Sequence, residues 1–196
     1  MFTVAGGAET LLELAVRSLV RRRALVVVGG EWGEWAASLV EACGREAARA
    51  CVQPGQIMRP EWLERFLHGP EFDAVFLVHV EPATGAEAPL HQLALAARGR
   101  RLPVVADVSH SLGRLPLTVD ASGIDLALAS GGPGLGSSPG LGFGTASVAA
   151  VDRARRMPGR GWTMDLVLQV EAAERGESVG VVAGAVLDDI AKNLQI

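Results

Sequence analysis

The chain has 196 residues, a length that suits one compact unit with a substantial core. With 49% hydrophobic, 20% charged and 5% aromatic residues and no tyrosine, it has an Ala/Val/Leu/Gly-rich profile that excludes disorder and fits a globular α/β protein. A net charge of −4 with scattered arginines argues against a nucleic-acid partner, and no segment reaches the roughly 18 apolar residues a membrane helix needs.

Apolar spacing at Leu11, Leu12, Ala15, Val16, Leu19 and Val20 predicts a first helix. Arg21-Arg22-Arg23 is expected to close it, where cations favour the exposed carbonyls. The run Ala24 to Val28 predicts a buried strand, Trp35 to Ala42 a helix, and Ala47 to Val52 a strand. Pro60 to Leu67 is a helix with proline at its first position, Ala74 to Val80 a strand, Leu90 to Ala97 a helix, and Leu102 to Val105 a strand. The strands are continuous apolar runs, as expected when helices cover both faces of a parallel sheet. The predicted fold is therefore a three-layer α/β/α sandwich with a mostly parallel sheet, occupying residues 1–196 as one domain. Ile124 to Ala129 and Leu141 to Val148 are strands joined by a loop instead of a helix, which leaves one of them free to run antiparallel. Helices are predicted near Ala150 to Arg156, Asp165 to Arg175 and Val181 to Leu194.

Cys43 and Cys51 have neither metal nor CxxC spacing and are expected to be reduced thiols, with no metal site. Met1-Phe-Thr-Val lacks the basic start and apolar run of a secretory leader, so a cytoplasmic location is expected. Several short catalytic signatures match by chance. Gly136-Ser-Ser-Pro-Gly140 fits GxSxG, but Pro139-Gly140 and an apolar strand follow where a nucleophile elbow needs a helix. His79-Val-Glu81 has no PCxxC partner, and Gly29-Gly30-Glu31-Trp32-Gly33 lacks GxGxxG spacing.

A stronger signal is an ordered series: Val28-Gly-Gly-Glu-Trp-Gly33, Phe76-Leu-Val-His-Val-Glu-Pro-Ala-Thr-Gly85, Leu102-Pro-Val-Val-Ala-Asp-Val-Ser-His-Ser-Leu-Gly113, Gly123-Ile-Asp125 and Ser138-Pro-Gly140. In order and spacing it resembles the large domain of class V aminotransferases, the alanine-glyoxylate (serine-pyruvate) group of pyridoxal-phosphate fold type I. The resemblance implies that Asp107 pairs with the cofactor's ring nitrogen, keeping the ring protonated as an electron sink. It implies that Trp32 stacks on the ring, that Thr84 offers a hydroxyl near it, and that Ser178 falls near a phosphate contact from a neighbouring subunit. The residues alone allow plainer roles: a turn-capping Asp107, a core or interface Trp32, a turn Thr84.

The departures from the family pattern weigh more. The family's Schiff-base lysine aligns with Pro133 and its side-chain hydrogen-bonder with Gly132, and the single lysine among 18 basic residues is Lys192, the fifth residue counted back from the end. The phosphate turn aligns with Gly7-Ala8-Glu9, whose carboxylate suits a first helical turn but opposes a phosphate. Asp107 and Trp32 together offer about 2 to 4.5 kcal/mol against the roughly 8 of micromolar affinity, so no cofactor is expected beyond a weak, non-covalent pyridoxal phosphate. His110, between Ser109 and Ser111, is a turn residue or a base near the vacant lysine position. The family's N-terminal arm and C-terminal small domain are expected to be absent. These features predict no catalytic residues and a non-catalytic aminotransferase-like protein. It would act as a homodimer or with a related full-length chain, without nucleic acid or membrane. Two other functions stay open: a residual transaminase using pyridoxal or pyridoxamine phosphate without a covalent lysine, and a small-ligand-binding module in the vacated pocket.

Overall fold

The computed structural model describes residues 1–182 and 184–195. In chain order the strands are β1 (Phe2–Ala5), β2 (Arg23–Val28), β3 (Glu46–Cys51), β4 (Ala74–Val78), β5 (Val80–Glu81), β6 (Ala86–Glu87), β7 (Val104–Asp107), β8 (Leu126–Ser130) and β9 (Leu141–Ala146). The helices are α1 (Ala8–Leu19), α2 (Glu31–Ala42), α3 (Pro60–Leu67), α4 (Leu90–Arg98), α5 (Val119–Ser122), α6 (Gly131–Leu135), α7 (Val148–Arg155), α8 (Leu166–Glu174) and α9 (Gly184–Leu194).

Seven strands form one sheet in the order β1-β9-β8-β7-β4-β2-β3, while β5 and β6 make a separate hairpin. Strands β3, β2, β4, β7 and β8 run parallel. The loop-connected β9 lies antiparallel to β8, and β1 antiparallel to β9. Because successive strand residues face opposite sides, the continuous apolar runs feed two cores at once. In β2, Ala24, Val26 and Val28 join the layer of α1, α2, α7 and α8, whereas Leu25 and Val27 pack with α3 and α4. Phe76 in β4 and Leu126 and Leu128 in β8 extend the first core; Val75, Val104 and Ala106 extend the second. This is the predicted α/β/α sandwich.

Four local expectations change. The arginine run does not close α1, which ends at Leu19. Its backbone amides instead wrap the Asp73 carboxylate, with Arg21, Arg22 and Arg23 N–H donating to Oδ2 at 3.0, 2.6 and 3.0 Å. Helix α2 starts at Glu31, four residues before the predicted Trp35, with Gly30 as its cap. The strand expected through Val80 stops at Val78, and Val80–Glu81 turns away into the hairpin. The Gly-rich segment holds a short helix, α6, between β8 and β9.

Candidate functional site

Asp107 is the last residue of β7, a central strand, paired to Val78 on one side and Leu128 on the other. It therefore delivers its side chain at the carboxyl end of the sheet, where open α/β sheets receive ligands. A cleft of about 370 Å³ opens there. Ala8 and Glu9 enter it from the first turn of α1, and Glu31, Trp32 and Trp35 from α2. The turn after β7 supplies Ser109 and His110, and the end of β8 with α6 supplies Ser130 and Pro133.

The sequence-predicted residues Trp32, Asp107 and His110 thus converge. The Trp32 and His110 rings meet edge to face at 5.4 Å, and Trp32 and Trp35 lie 5.8 Å apart at 50°. Asp107 is 3% exposed. Its Oδ1 accepts the Ser109 N–H at 2.8 Å, while Oδ2 has no partner. Burial pushes the Asp107 carboxyl above its ordinary range, opposed by the Ser109 hydrogen bonds and His110 and reinforced by Glu81. Thr84 does not join them: it is exposed on the β5–β6 turn, where its Oγ1 accepts the Ala86 N–H at 3.3 Å. The turn needs that hydroxyl locally, which accounts for threonine there without a ligand. Ser178 is exposed and donates to the Gly180 carbonyl.

One site residue escaped the sequence reading. Glu81, 4% exposed, lies against Gly30 so closely that a Cβ there would sit 2.5 Å from its Cδ. Its Oε1 accepts the Trp32 N–H at 3.3 Å, serving an α2 terminus whose glycine cap has no side chain to do so. Glu81 therefore fixes the helix that presents Trp32. The signal available was an acidic residue in the short segment between an apolar strand and Pro82, which the HxE comparison discarded. Behind it, His79 is buried with its Nδ1 2.7 Å from Ser111 Oγ. Burial lowers the His79 pKa against the pull of Glu87.

Four buried polar atoms lack a partner among the described residues: Trp32 Nε1, Glu81 Oε2, Asp107 Oδ2 and His110 Nε2. Buried polar groups are ordinarily satisfied, and two of these four belong to residues that line the cleft, Trp32 and His110. A larger hollow of about 580 Å³ beside β3 and α3, between Cys51, Met58 and Trp62, contains none of these atoms. No group of three or more metal-ligating side chains occurs among the described residues, and none of their helices is long and apolar enough to cross a membrane.

The fit to pyridoxal phosphate divides in two. On the ring side, Trp32 lines the cleft and Asp107 Oδ2 is an unpaired oxygen at the end of β7, two residues before the lining Ser109. The phosphate half is not matched. The Glu9 side chain folds back over the Gly7 cap of α1, so that a Cβ on Gly7 would lie 2.5 and 2.7 Å from its carboxylate oxygens. A phosphate at this terminus would meet that carboxylate, a repulsion of about 1 to 4 kcal/mol at 4 Å. Pro133 lines the cleft without an amine, and Lys192 is exposed on α9. The residues present do not fit the phosphorylated cofactor.

Comparison with known proteins places these observations. A model of the aminotransferase class V family matches residues 2–175. An uncharacterized aminotransferase of Methanocaldococcus jannaschii is 28% identical over 170 residues, 85% of this chain and 44% of that protein. A 2-aminoethylphosphonate–pyruvate transaminase of Burkholderia ambifaria is 32% identical over 153 residues, 75% of this chain and 40% of its own length. Among solved structures, an aspartate aminotransferase from Thermus thermophilus superposes with a TM-score of 0.87 at 29% identity, over 99% of this chain and 55% of that one. An alanine–glyoxylate aminotransferase from Nostoc sp. gives 0.89 at 25% identity, over 98% and 52%. The chain spans less than half the length of these curated relatives.

Proposed function

Since this chain belongs to the class V aminotransferase family, we propose that it keeps the family scaffold without transamination and acts through association with a second copy or a related chain. The observation that carries this reading is Pro133. It lines the cleft, and the sequence resemblance pairs it with the family's lysine. Transamination needs a basic amine there, to exchange with the amino donor and to move the substrate proton, and a proline nitrogen in a peptide bond does neither. Glu9, folded over Gly7, supports the same reading from the phosphate end.

Association is supported by exposed apolar side chains toward the end of the chain. Trp162 and Val181 are 72% and 88% exposed, and Thr163 and Gly180 beside them approach each other, a Cβ on Gly180 lying 3.9 Å from Thr163 Cγ2. Borohydride reduction after incubation with pyridoxal phosphate tests the loss of chemistry, with no adduct expected; an adduct on an internal residue would overturn it. Sedimentation tests association, with a dimer expected that Trp162→Ser weakens. A monomer that also fails to join a related full-length aminotransferase would remove that half. The unpaired polar atoms of the cleft favour one further role, ligand binding without turnover.

A further inference from the structure

We propose that the amino end of the sheet binds a small molecule carrying linked phosphate groups, of the di- or triphosphate class. The Trp32 cleft lies at the carboxyl ends of β7 and β8; this site lies at their other ends and goes beyond the reading given for that cleft. Two adjoining hollows of about 380 and 320 Å³ open there, where the chain enters β4, β7 and β8. They share Arg101, Leu102 and Arg153; Arg100 lines only the first, and Arg98 and Arg156 only the second. Five arginines therefore gather at one end of a protein whose net charge is −4. The carboxylates beside them do not neutralise them. Asp125 is committed to the Val104 N–H and the Ser147 hydroxyl, at 3.0 and 2.9 Å, and Glu71 is exposed. Asp73, which already collects three amides, reaches only Arg153, at 3.5 Å. Arg98, Arg100, Arg101 and Arg156 make no ion pair among the described residues, whereas Arg17, Arg49, Arg155 and Arg160 all do.

Helix ends account for part of this gathering. Arg98 closes α4, and Arg153 and Arg156 close α7, where cations favour the exposed carbonyls. They do not account for Arg101, which takes the left-handed position after α4 with a φ of 57°. Its N–H donates to the Arg98 carbonyl and the Leu102 N–H to the Ala97 carbonyl, at 2.9 and 3.2 Å, a cap geometry that favours glycine. Arginine at this position carries backbone strain that capping does not require, and what it adds is a charge common to both hollows. Arg98 is held in place as well: it lies against Gly123, where a Cβ would come 3.1 Å from its Cζ. Burial depresses the Arg153 pKa, with Arg156 and Arg21 adding to the effect and Asp73 and Asp125 opposing it. An anion among these groups relieves the repulsion they otherwise carry. Because α4 and α7 cover opposite faces of the sheet, the arginines approach from both sides. A carboxylate offers two coplanar oxygens to one guanidinium fork, whereas a phosphate offers oxygens in three directions and takes forks from several sides. Two hollows joined at Arg101 and Arg153 suit two such groups linked to each other.

The test is calorimetric titration of the full chain with tripolyphosphate, orthophosphate and citrate. Tripolyphosphate is expected to bind about tenfold more tightly than orthophosphate, because its phosphates are linked, and more tightly than citrate. Added salt should weaken it. Arg101→Gly should weaken tripolyphosphate by about threefold while melting no lower than the parent, since glycine suits that backbone position. Arg98→Gln/Arg156→Gln should weaken it by about tenfold, and Arg65→Gln, in the hollow beside α3, should leave it unchanged. Orthophosphate or citrate binding as tightly as tripolyphosphate overturns the proposal, as does unaltered tripolyphosphate binding in the Arg98→Gln/Arg156→Gln protein. So does a single-stranded oligonucleotide that binds as tightly and is lost with the same arginines, which would mark an extended basic face. Absence of tripolyphosphate binding sinks this proposal alone, and pyridoxal phosphate fixed by borohydride sinks the reading of the Trp32 cleft alone.

Discussion

Gly134, in the middle of α6, is the point where the Gly-rich segment closes onto the turn that carries Ser109 and His110. A Cβ there would lie 1.9 Å from the Leu112 carbonyl oxygen and 3.1 Å from the Ser109 oxygen. Both are backbone atoms, so no side chain can rotate aside. An ordinary C···O approach is about 3.3 Å, so Gly134→Ala requires α6 to withdraw by about 1.4 Å or the turn to distort. Overpacking of this kind costs about 1 to 3 kcal/mol, offset by the roughly 0.4 to 1 kcal/mol that alanine gains by restricting the unfolded chain. At the midpoints of these ranges the net loss of about 1.3 kcal/mol lowers the melting temperature by roughly 3 to 5 °C for a chain of this size. Gly184→Ala is the control, since a Cβ at that helical position meets nothing within 4 Å. Differential scanning calorimetry of both variants is the assay. A Gly134→Ala protein that melts within 1 °C of the parent would refute the close approach and the placement of Pro133 that depends on it.

Asp107→Asn separates burial from charge. Because the folded-state pKa of Asp107 is raised, the acid's contribution is fully present below its unfolded value of about 3.9 and is lost as pH rises through the folded value. The asparagine variant should therefore gain stability relative to the parent as pH rises above about 4, then level off; melting curves from pH 3.5 to 8 that stay parallel would contradict this. Asp73→Ala removes the acceptor of three backbone amides between α1 and β2, and urea unfolding should show a loss of about 2 to 3 kcal/mol. Asp165→Ala takes away the α8 cap, which accepts from Val167 and Leu168 N–H and pairs with Arg160. The same assay should show a loss of about 2 to 4 kcal/mol, and a change under 1 would disprove the buried cap.

The sheet's parallel centre was readable because its strands are buried on both faces and so are apolar without interruption, as in Ala24 to Val28. That one of the last two strands could run antiparallel was legible because the sequence predicts no crossover helix between them; that it is β9 was not. What escaped has identifiable causes. Strand β1 is four residues long and pairs only with β9, so its pattern carried no local signal. Helix α6 is Gly131-Gly-Pro-Gly-Leu135, a sequence of the poorest helix formers, held by packing against β9 and α9. The arginine run reads as a helix end until Asp73, fifty residues away, is known to collect its amides. The placement of Trp32, Asp107 and His110 beside strand ends was legible from the ordered segments, and Trp32 and His110 line one cleft. Thr84 was misplaced because a threonine in a turn serves the turn. Glu81 was passed over because its work, holding the α2 terminus and excluding a side chain at Gly30, exists only across the fold.

We propose that the cleft does not hold the family's phosphorylated cofactor. Equilibrium dialysis of the full chain against micromolar pyridoxal phosphate, read by visible absorbance, addresses it directly. A cleft with a carboxylate over Gly7 and a proline at position 133 should retain no cofactor above the external concentration, since micromolar affinity requires about 8 kcal/mol. Retention of one pyridoxal phosphate per chain, with an absorbance shifted from that of the free compound, would contradict it.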